Sequence, residues 1–217
     1  MNSTTVWVGG NKTGGRGGGS GRGGGAISTR DREKVGQLAP DFVGYSQAVE
    51  MLAKETGMSV EDAQEYYTAL DSYFGSGYHS IRAGEPPSAA KKAKLIDQVL
   101  KKSRVYNGTI YRGIHLGSDE YSEWSKGLVK GGTMDMRGIS SWSSKQSVAD
   151  SFAHKGSGYG QSVIFKVKST SHAAPVQHLS HFGSSEAEVL APSSVRYKIS
   201  SYITKGNVTY VDLTEVA

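Results

Sequence analysis

The fold is decided at the stretch Asn107-Gly108-Thr109-Ile110-Tyr111-Arg112-Gly113-Ile114, because the residue patterns on its two sides differ. Asn-Gly is a turn signal, and the β-branched and aromatic residues after it favour a strand. From 41 to 104 apolar residues recur at helical spacing, whereas 105–217 contains short runs of Val, Ile, Tyr and Thr between Gly and Ser. Helices followed by strands indicate an α+β domain rather than a doubly wound one.

Three helices are predicted in the segment 41–104. The first places Tyr45, Val49 and Leu52 on one face. Ser59 is the expected N-cap of a second helix, which runs toward Phe74. The third is expected to begin after Pro86-Pro87, because proline is tolerated in a first helical turn.

Five strands and one further helix are predicted in the segment 105–217. The helix begins near Lys145. The predicted strands are Thr109–Ile114, Gln161–Val167, Ala187–Leu190, Arg196–Thr204 and Val208–Leu213.

Composition excludes several classes of protein. The absence of cysteine excludes disulfides, thiolate metal sites and a cysteine nucleophile. No apolar run approaches the roughly 20 residues of a membrane helix, and the N-terminus lacks the pattern of a signal peptide. We therefore expect a soluble protein, cytoplasmic in the producing or the target cell, with non-classical secretion and delivery in a virion left open.

The positive charge is concentrated in a leader of residues 1–40. That segment has six basic and two acidic residues, which gives +4 of the net +5, and residues 9–25 hold eleven of the 29 glycines. We expect a flexible leader without stable structure to about residue 25, because ordering glycine costs backbone entropy with little apolar burial in return. A nearly neutral body argues against nucleic acid as a partner, although Arg-Gly segments can bind RNA.

Three separated segments carry the candidate chemistry: Tyr111-Arg112-Gly113, Ser141-Trp142-Ser143 and Glu186-Ala187-Glu188. Each occurs by chance in many proteins, so their order and surroundings matter more than any one of them. Together, over residues 65–213, they resemble the arginine-specific mono-ADP-ribosyltransferases, which include enzymatic components of clostridial binary toxins and phage- or effector-encoded relatives. Trp142 stands where those relatives usually carry Thr.

The resemblance implies an ADP-ribosyltransferase-like split β-sandwich core with N-terminal helices, and it implies NAD as co-substrate, bound between two small sheets. The catalytic residues it implies are Glu188, Glu186, Arg112 and Ser141. Those it places around NAD are Arg112, Gly113, Tyr73, Tyr78, Arg82, Ser141, Ser143, Phe152 and Glu188. Arg82 stands where relatives often carry Asn. The residues it assigns to acceptor recognition are Phe182, Ser184, Ser185 and Glu186.

The chemistry of the residues agrees with this resemblance. Departure of nicotinamide leaves an oxocarbenium-like ribose, which a carboxylate such as Glu188 would stabilise. In a continuous strand Glu186 and Glu188 would share a face and raise each other's proton affinity, which suits Glu186 to receive the acceptor's proton. Ser141 is expected to hold Glu188 in place, and Gly113 to let the ligand approach the backbone.

Two other functions stay open. In an NAD glycohydrolase water replaces arginine, and a non-catalytic module of a virion would use its Arg-Gly leader for RNA. A metal site is not expected, because no third ligand joins His178 and His181. The expected partner is a target protein with an acceptor arginine, while the identity of that protein, the biological role and the oligomeric state stay open.

Overall fold

The computed structural model describes residues 5–7, 41–42, 44–154 and 160–216. The helices of this part are α1 Tyr45–Thr56, α2 Val60–Phe74, α3 Tyr78–Ala83, α4 Pro87–Lys102, α5 Ser118–Ser125, α6 Gln146–His154 and α7 Gly183–Glu186. The strands are β1 Thr5–Trp7, β2 Ile110–Leu116, β3 Thr133–Asp135, β4 Ser140–Ser143, β5 Gln161–Val167, β6 Ala174–Pro175, β7 Glu188–Ala191, β8 Arg196–Lys205 and β9 Val208–Val216.

The sheet is split between β2 and β4. Its strand order is β1-β3-β8-β9-β5-β2-β4-β7-β6, and all pairs are antiparallel except β1–β3 and β5–β9. β2 pairs with β5 along its whole length, but only Tyr111 and Ser143 join β2 to β4. Six strands therefore form one part of the sheet and β4, β7 and β6 the other, which confirms the predicted α+β fold with a split β core.

β7 lies between two hydrophobic clusters. All four of its residues are buried. Val189 packs with the residues of the larger sheet part, whereas Leu190 packs with the helical cluster formed by α1, α2 and α4. Because successive side chains of a strand point to opposite faces, β7 joins the helical layer to the sheet. The first residue of this central strand is Glu188.

The predicted helices of the segment 41–104 are confirmed, and their ends follow local chemistry. Ser59 caps α2 by accepting a hydrogen bond from the Asp62 N–H at 3.0 Å. α1 ends at Gly57, whose φ of 70° is left-handed. α3 and α5 were not predicted, because helices this short show little periodicity. No helix in the described ranges is long and apolar enough to cross a membrane.

All five predicted strands are found, four of them with shifts of one to three residues at their ends. β1 is an exception to the predicted leader without stable structure, since Thr5–Trp7 pair in parallel with Thr133–Asp135. Thr, Val and Trp all favour strands, and β3 offers them an edge. The glycine-rich residues 9–25 lie outside the described part of the chain.

Gly113 allows α6 to pack closely on β2. A Cβ atom at this position would lie 1.7 Å from the Ala149 carbonyl oxygen and 3.0 Å from the Ala153 nitrogen. The expectation that Gly113 makes room for a ligand is therefore wrong, because the space over its Cα is filled by the backbone of α6.

We expect Gly113→Ala to destabilise the protein by about 3 kcal/mol, because the helix must move to admit the methyl group. Gly117→Ala is the matched control, since its Cβ would meet no heavy atom closer than 3.6 Å and its φ is −59°. That variant should lose about 1 kcal/mol or less. Urea unfolding measures both, and a Gly113→Ala protein as stable as the wild type would contradict this packing.

Candidate active site

Arg112 lies in β2 at the point where the sheet splits. Its side chain is 8% exposed. One guanidinium nitrogen, Nη1, donates to the Ser141 carbonyl at 2.6 Å, and Nη2 donates to the Tyr78 hydroxyl at 3.1 Å. Within the described residues, Nε is buried without a hydrogen-bond partner. Burial lowers the pKa of Arg112, but the nearby tyrosine oxygens, Tyr78 foremost among them, together raise it by more, so the group is a buried cation.

The hydroxyl oxygen of Tyr78 also accepts a hydrogen bond from a second arginine. Nη1 of Arg82 donates to the Tyr78 hydroxyl at 2.9 Å. The other terminal nitrogen of Arg82 donates to the carbonyls of Met136 and Arg137. Burial raises the pKa of Tyr78, but Arg112 and Arg82 together outweigh it and lower this pKa to about 8. Two guanidinium groups thus converge on one oxygen atom.

Tyr73 connects these arginines to β4. Its hydroxyl lies 3.0 Å from Ser141 Oγ and donates to the Ile139 carbonyl at 3.2 Å. Its ring centroid is 5.1 Å from that of Tyr78. Burial raises the pKa of Tyr73, so the phenol stays neutral. Five of the predicted NAD-binding residues, Tyr73, Tyr78, Arg82, Arg112 and Ser141, are therefore in one connected cluster.

Glu188 lies beside this cluster and is 2% exposed. Its charge is close enough to contribute to the raised pKa of Tyr73. In the β4–β7 ladder the residue opposite Glu188 is Ser143, while Ser141 is opposite Leu190. Both serines and Glu188 are thus on one face of this ladder, because directly paired residues share a face.

Glu186 and Glu188 do not belong to one strand. Glu186 ends α7, Ala187 is left-handed with φ 45° and ψ 51°, and β7 begins at Glu188. The prediction that the two carboxylates share a strand face is therefore wrong, because alternation requires extended backbone. Ser143 Oγ donates to the Glu186 carbonyl at 2.7 Å, which fixes the main chain here.

A cavity of about 240 Å³ lies between α6 and α7. Glu186 and Phe152 both line it, together with Ser147, Val148, Ser151 and Ser185. The structure thus brings the predicted Phe152 next to the predicted acceptor residues Ser185 and Glu186. The cavity and the arginine cluster are connected through the Glu186-Ala187-Glu188 segment.

The segment Phe182–Glu186, here called the acceptor turn, contains the short helix α7. Ser184 donates to Asp41 through its N–H at 2.7 Å and through Oγ at 2.8 Å. Lys145 Nζ donates to the Ser184 carbonyl at 2.6 Å. Neither Asp41 nor Lys145 was predicted for the site, because contacts across 143 and 39 positions of the chain leave no local pattern.

Trp142 points away from the cluster. Its ring N–H donates to Ser140 Oγ at 2.9 Å, and its ring packs 5.2 Å from that of Tyr197 in the larger hydrophobic cluster. The departure from Thr at this position therefore changes the core and leaves the serine face of β4 unaltered. In the described ranges no three potential metal-ligating side chains come together.

The comparison with known families identifies the class of this protein. The profile of the ADP-ribosyltransferase exoenzyme family matches residues 44–216, which is most of the chain. The chain therefore belongs to the ADP-ribosyltransferase exoenzyme family, whose members use NAD as substrate. A search of curated protein sequences finds no match to it.

Solved structures of one toxin and two exoenzymes share the fold. The Vis toxin of Vibrio splendidus superposes with a TM-score of 0.59 at 21% identity, covering 83% of this chain and 89% of that chain. The C3 exoenzyme of Clostridium limosum superposes with a TM-score of 0.57 at 17% identity, covering 82% and 98%. Exoenzyme S of Pseudomonas aeruginosa gives 0.54 at 19% identity, covering 78% and 88%.

We expect one tyrosine of the folded protein to titrate near pH 8, because Arg112 and Arg82 stabilise the Tyr78 phenolate. The folded pKa lies below the ordinary value of 10.0. The stability contributed by this group is thus full above that value and is lost as pH falls through about 8. Ultraviolet absorbance of tyrosinate measures the titration. The step should vanish in Tyr78→Phe, and its persistence there would contradict the assignment.

Proposed function

We propose that this chain is a mono-ADP-ribosyltransferase that cleaves the nicotinamide–ribose bond of NAD and transfers ADP-ribose to an arginine side chain of a target protein. One observation carries the proposal: the buried cation Arg112, with Nε unpartnered among the described residues, and the buried carboxylate Glu188 both interact electrostatically with Tyr73. The first suits the diphosphate of NAD and the second the positive charge that develops on its ribose.

Arg112 and Arg82 fit a diphosphate. Each is held by a main-chain carbonyl and each donates to the Tyr78 hydroxyl, so their positions are set before a ligand arrives. A guanidinium group binds phosphate through two parallel N–H···O hydrogen bonds, and burial strengthens such charge-assisted bonds. In this proposal the guanidinium N–H groups of Arg112 and Arg82, which donate to the Tyr78 hydroxyl in the present structure, donate to the diphosphate oxygens instead.

Glu188 suits the bond-breaking step. The glycosidic C–N bond breaks with its electron pair on nicotinamide, which leaves the ribose carbon electron-poor. A carboxylate buried next to β4 stabilises that charge more strongly than one in water, because the surroundings screen it less. Ser141 and Ser143, on the same face of the ladder, are proposed to position substrate and carboxylate.

Glu186 suits the role of proton acceptor for the arginine that is modified. Its carboxylate borders a cavity with Phe152, where an arginine from another protein can reach it. A guanidinium nitrogen forms the new bond to the ribose carbon and gives up a proton, which Glu186 accepts. An arginine side chain is nearly always protonated, so such a proton acceptor is required. We propose that Phe152 covers the nicotinamide side of the cavity.

Two solved relatives support this assignment. Vis has been solved in complex with agmatine, a guanidinium compound, and exoenzyme S with carba-NAD bound and in complex with the human 14-3-3 protein beta. An NAD glycohydrolase would need Glu188 and would have no use for Glu186 at the cavity. A non-catalytic module would not need both a buried carboxylate and a buried arginine close to Tyr73, since burying charges is costly.

We expect substitutions of the two glutamates to affect transfer and hydrolysis differently. Glu188→Gln removes the charge facing the ribose, so transfer to arginine and hydrolysis of NAD should both fall at least about 100-fold. Glu186→Gln should mainly abolish transfer and leave slow hydrolysis, because water attacks without a guanidinium-handling base. Nicotinamide-labelled NAD and adenine-labelled NAD, each with and without agmatine, give both rates.

Melting curves of both variants control for folding. Wild-type protein that cleaves NAD without modifying agmatine would make the chain a glycohydrolase or a transferase for another acceptor. Wild-type protein that leaves NAD intact would favour the non-catalytic module. Wild-type transfer by Glu186→Gln, or full NAD cleavage by Glu188→Gln, would contradict the roles assigned to these residues.

A further inference from the structure

Asp41 holds the acceptor turn from a distant part of the chain. Its carboxylate is separate from the cluster around Arg112 and contacts the turn at Ser184, two residues before Glu186. We propose that Asp41 is a positioning residue for the acceptor arginine: it acts through Ser184 to fix the turn that carries Glu186. This inference rests on the proposed function, because it concerns the acceptor side of the same site.

Both carboxylate oxygens of Asp41 are engaged. Oδ1 accepts the Ser184 N–H at 2.7 Å and the Phe42 N–H at 3.0 Å, and Oδ2 accepts the Ser184 hydroxyl at 2.8 Å. The carboxylate lies so close to Gly183 that a Cβ atom there would be 2.0 Å from Oδ1. Burial raises the pKa of Asp41, but the bonds from Ser184 outweigh it and lower the pKa, so the group is an anion at neutral pH.

Lys145 holds the same residue from the other side. Its Nζ donates to the Ser184 carbonyl at 2.6 Å, and its N–H donates to Ser143 Oγ at 3.0 Å. Ser184 is therefore bonded through its N–H, its hydroxyl and its carbonyl. These contacts matter because α7 has only four residues, and a single helical turn is not stable by itself.

The two glutamates depend on different supports. Glu188 begins β7 and is fixed by the β4–β7 ladder, whereas Glu186 is fixed by the acceptor turn and by Ser143. Removing Asp41 should therefore loosen Glu186 while Glu188 and the arginine cluster keep their places. Transfer should suffer more than hydrolysis, because a small misplacement of a positioned group strongly lowers the rate of a bimolecular step.

The chain contains a matched control for this pairing. Asp97 of α4 accepts the Ser193 N–H at 2.9 Å with one oxygen and the Ser193 hydroxyl with the other. The arrangement repeats that of Asp41 and Ser184, but it ties α4 to the segment after β7. Asp97→Ala thus removes the same type of interaction without touching the acceptor turn.

The test compares Asp41→Ala, Asp41→Asn and Asp97→Ala with the wild type, using labelled NAD and agmatine. For Asp41→Ala we expect the KM for agmatine to rise about fivefold or more, the scale of one or two lost hydrogen bonds. The ratio of transfer to hydrolysis should fall by a similar factor, with the KM for NAD within about twofold of wild type. Asp41→Asn keeps an oxygen that can accept the Ser184 N–H, so its ratio of transfer to hydrolysis should lie between those of Asp41→Ala and the wild type. Asp97→Ala should lower the Tm and leave the ratio unchanged.

The outcomes separate this inference from the function on which it rests. A wild-type ratio in Asp41→Ala, measured on a preparation whose wild type modifies agmatine, would overturn the inference alone. An equal loss in Asp97→Ala would also overturn it, since the effect would then follow general stability. Wild-type protein that never modifies agmatine would overturn the proposed acceptor and this inference with it.

Discussion

The separation of β2 from β4 after a single residue pair is the constraint on which the rest of the site depends. Strands normally continue their ladder, because backbone polar groups need partners. Here the Ser141 carbonyl receives its hydrogen bond from the Arg112 side chain on the neighbouring strand. The sheet therefore opens around a buried guanidinium, and the polar groups of Tyr73, Tyr78 and Ser141 gather along the opening.

Burying a cation in this position is costly unless an anion or strong acceptors accompany it. The described partners of Arg112 are a carbonyl and a phenol, neither of which carries a full negative charge at neutral pH. The low pKa of Tyr78 follows from the positive charges of Arg112 and Arg82, which stabilise its phenolate. Two guanidinium groups that converge on one phenol oxygen favour an anionic ligand, which is the property a dinucleotide site requires.

Ala187 separates the two glutamates into different structural elements. A left-handed residue between the two glutamates sends Glu188 into the buried ladder and leaves Glu186 at the end of a short helix. One carboxylate thus belongs to the rigid core, and the other belongs to a surface turn held by Asp41 and Lys145.

The sequence predicts more of the fold than of the local geometry. Strong periodicity located α1, α2 and α4, and β5 was predicted at the observed residues, Gln161–Val167. β3 and β6 are too short to show alternation. Alanine has no preference for left-handed backbone, so the break between Glu186 and Glu188 could not be expected. The resemblance to a family indicated which residues meet, but the reason for Gly113 and the contact of Asp41 with Ser184 depend on packing between distant segments.

The most direct measurement is a crystal structure of this protein with carba-NAD, in which the bond to nicotinamide cannot be cleaved in the normal way. We expect diphosphate oxygens within hydrogen-bond distance of Arg112, the nicotinamide-bearing sugar against Glu188, and Glu186 facing the open cavity. A nucleotide bound elsewhere, with both terminal nitrogens of Arg112 still engaged by Ser141 and Tyr78, would contradict it.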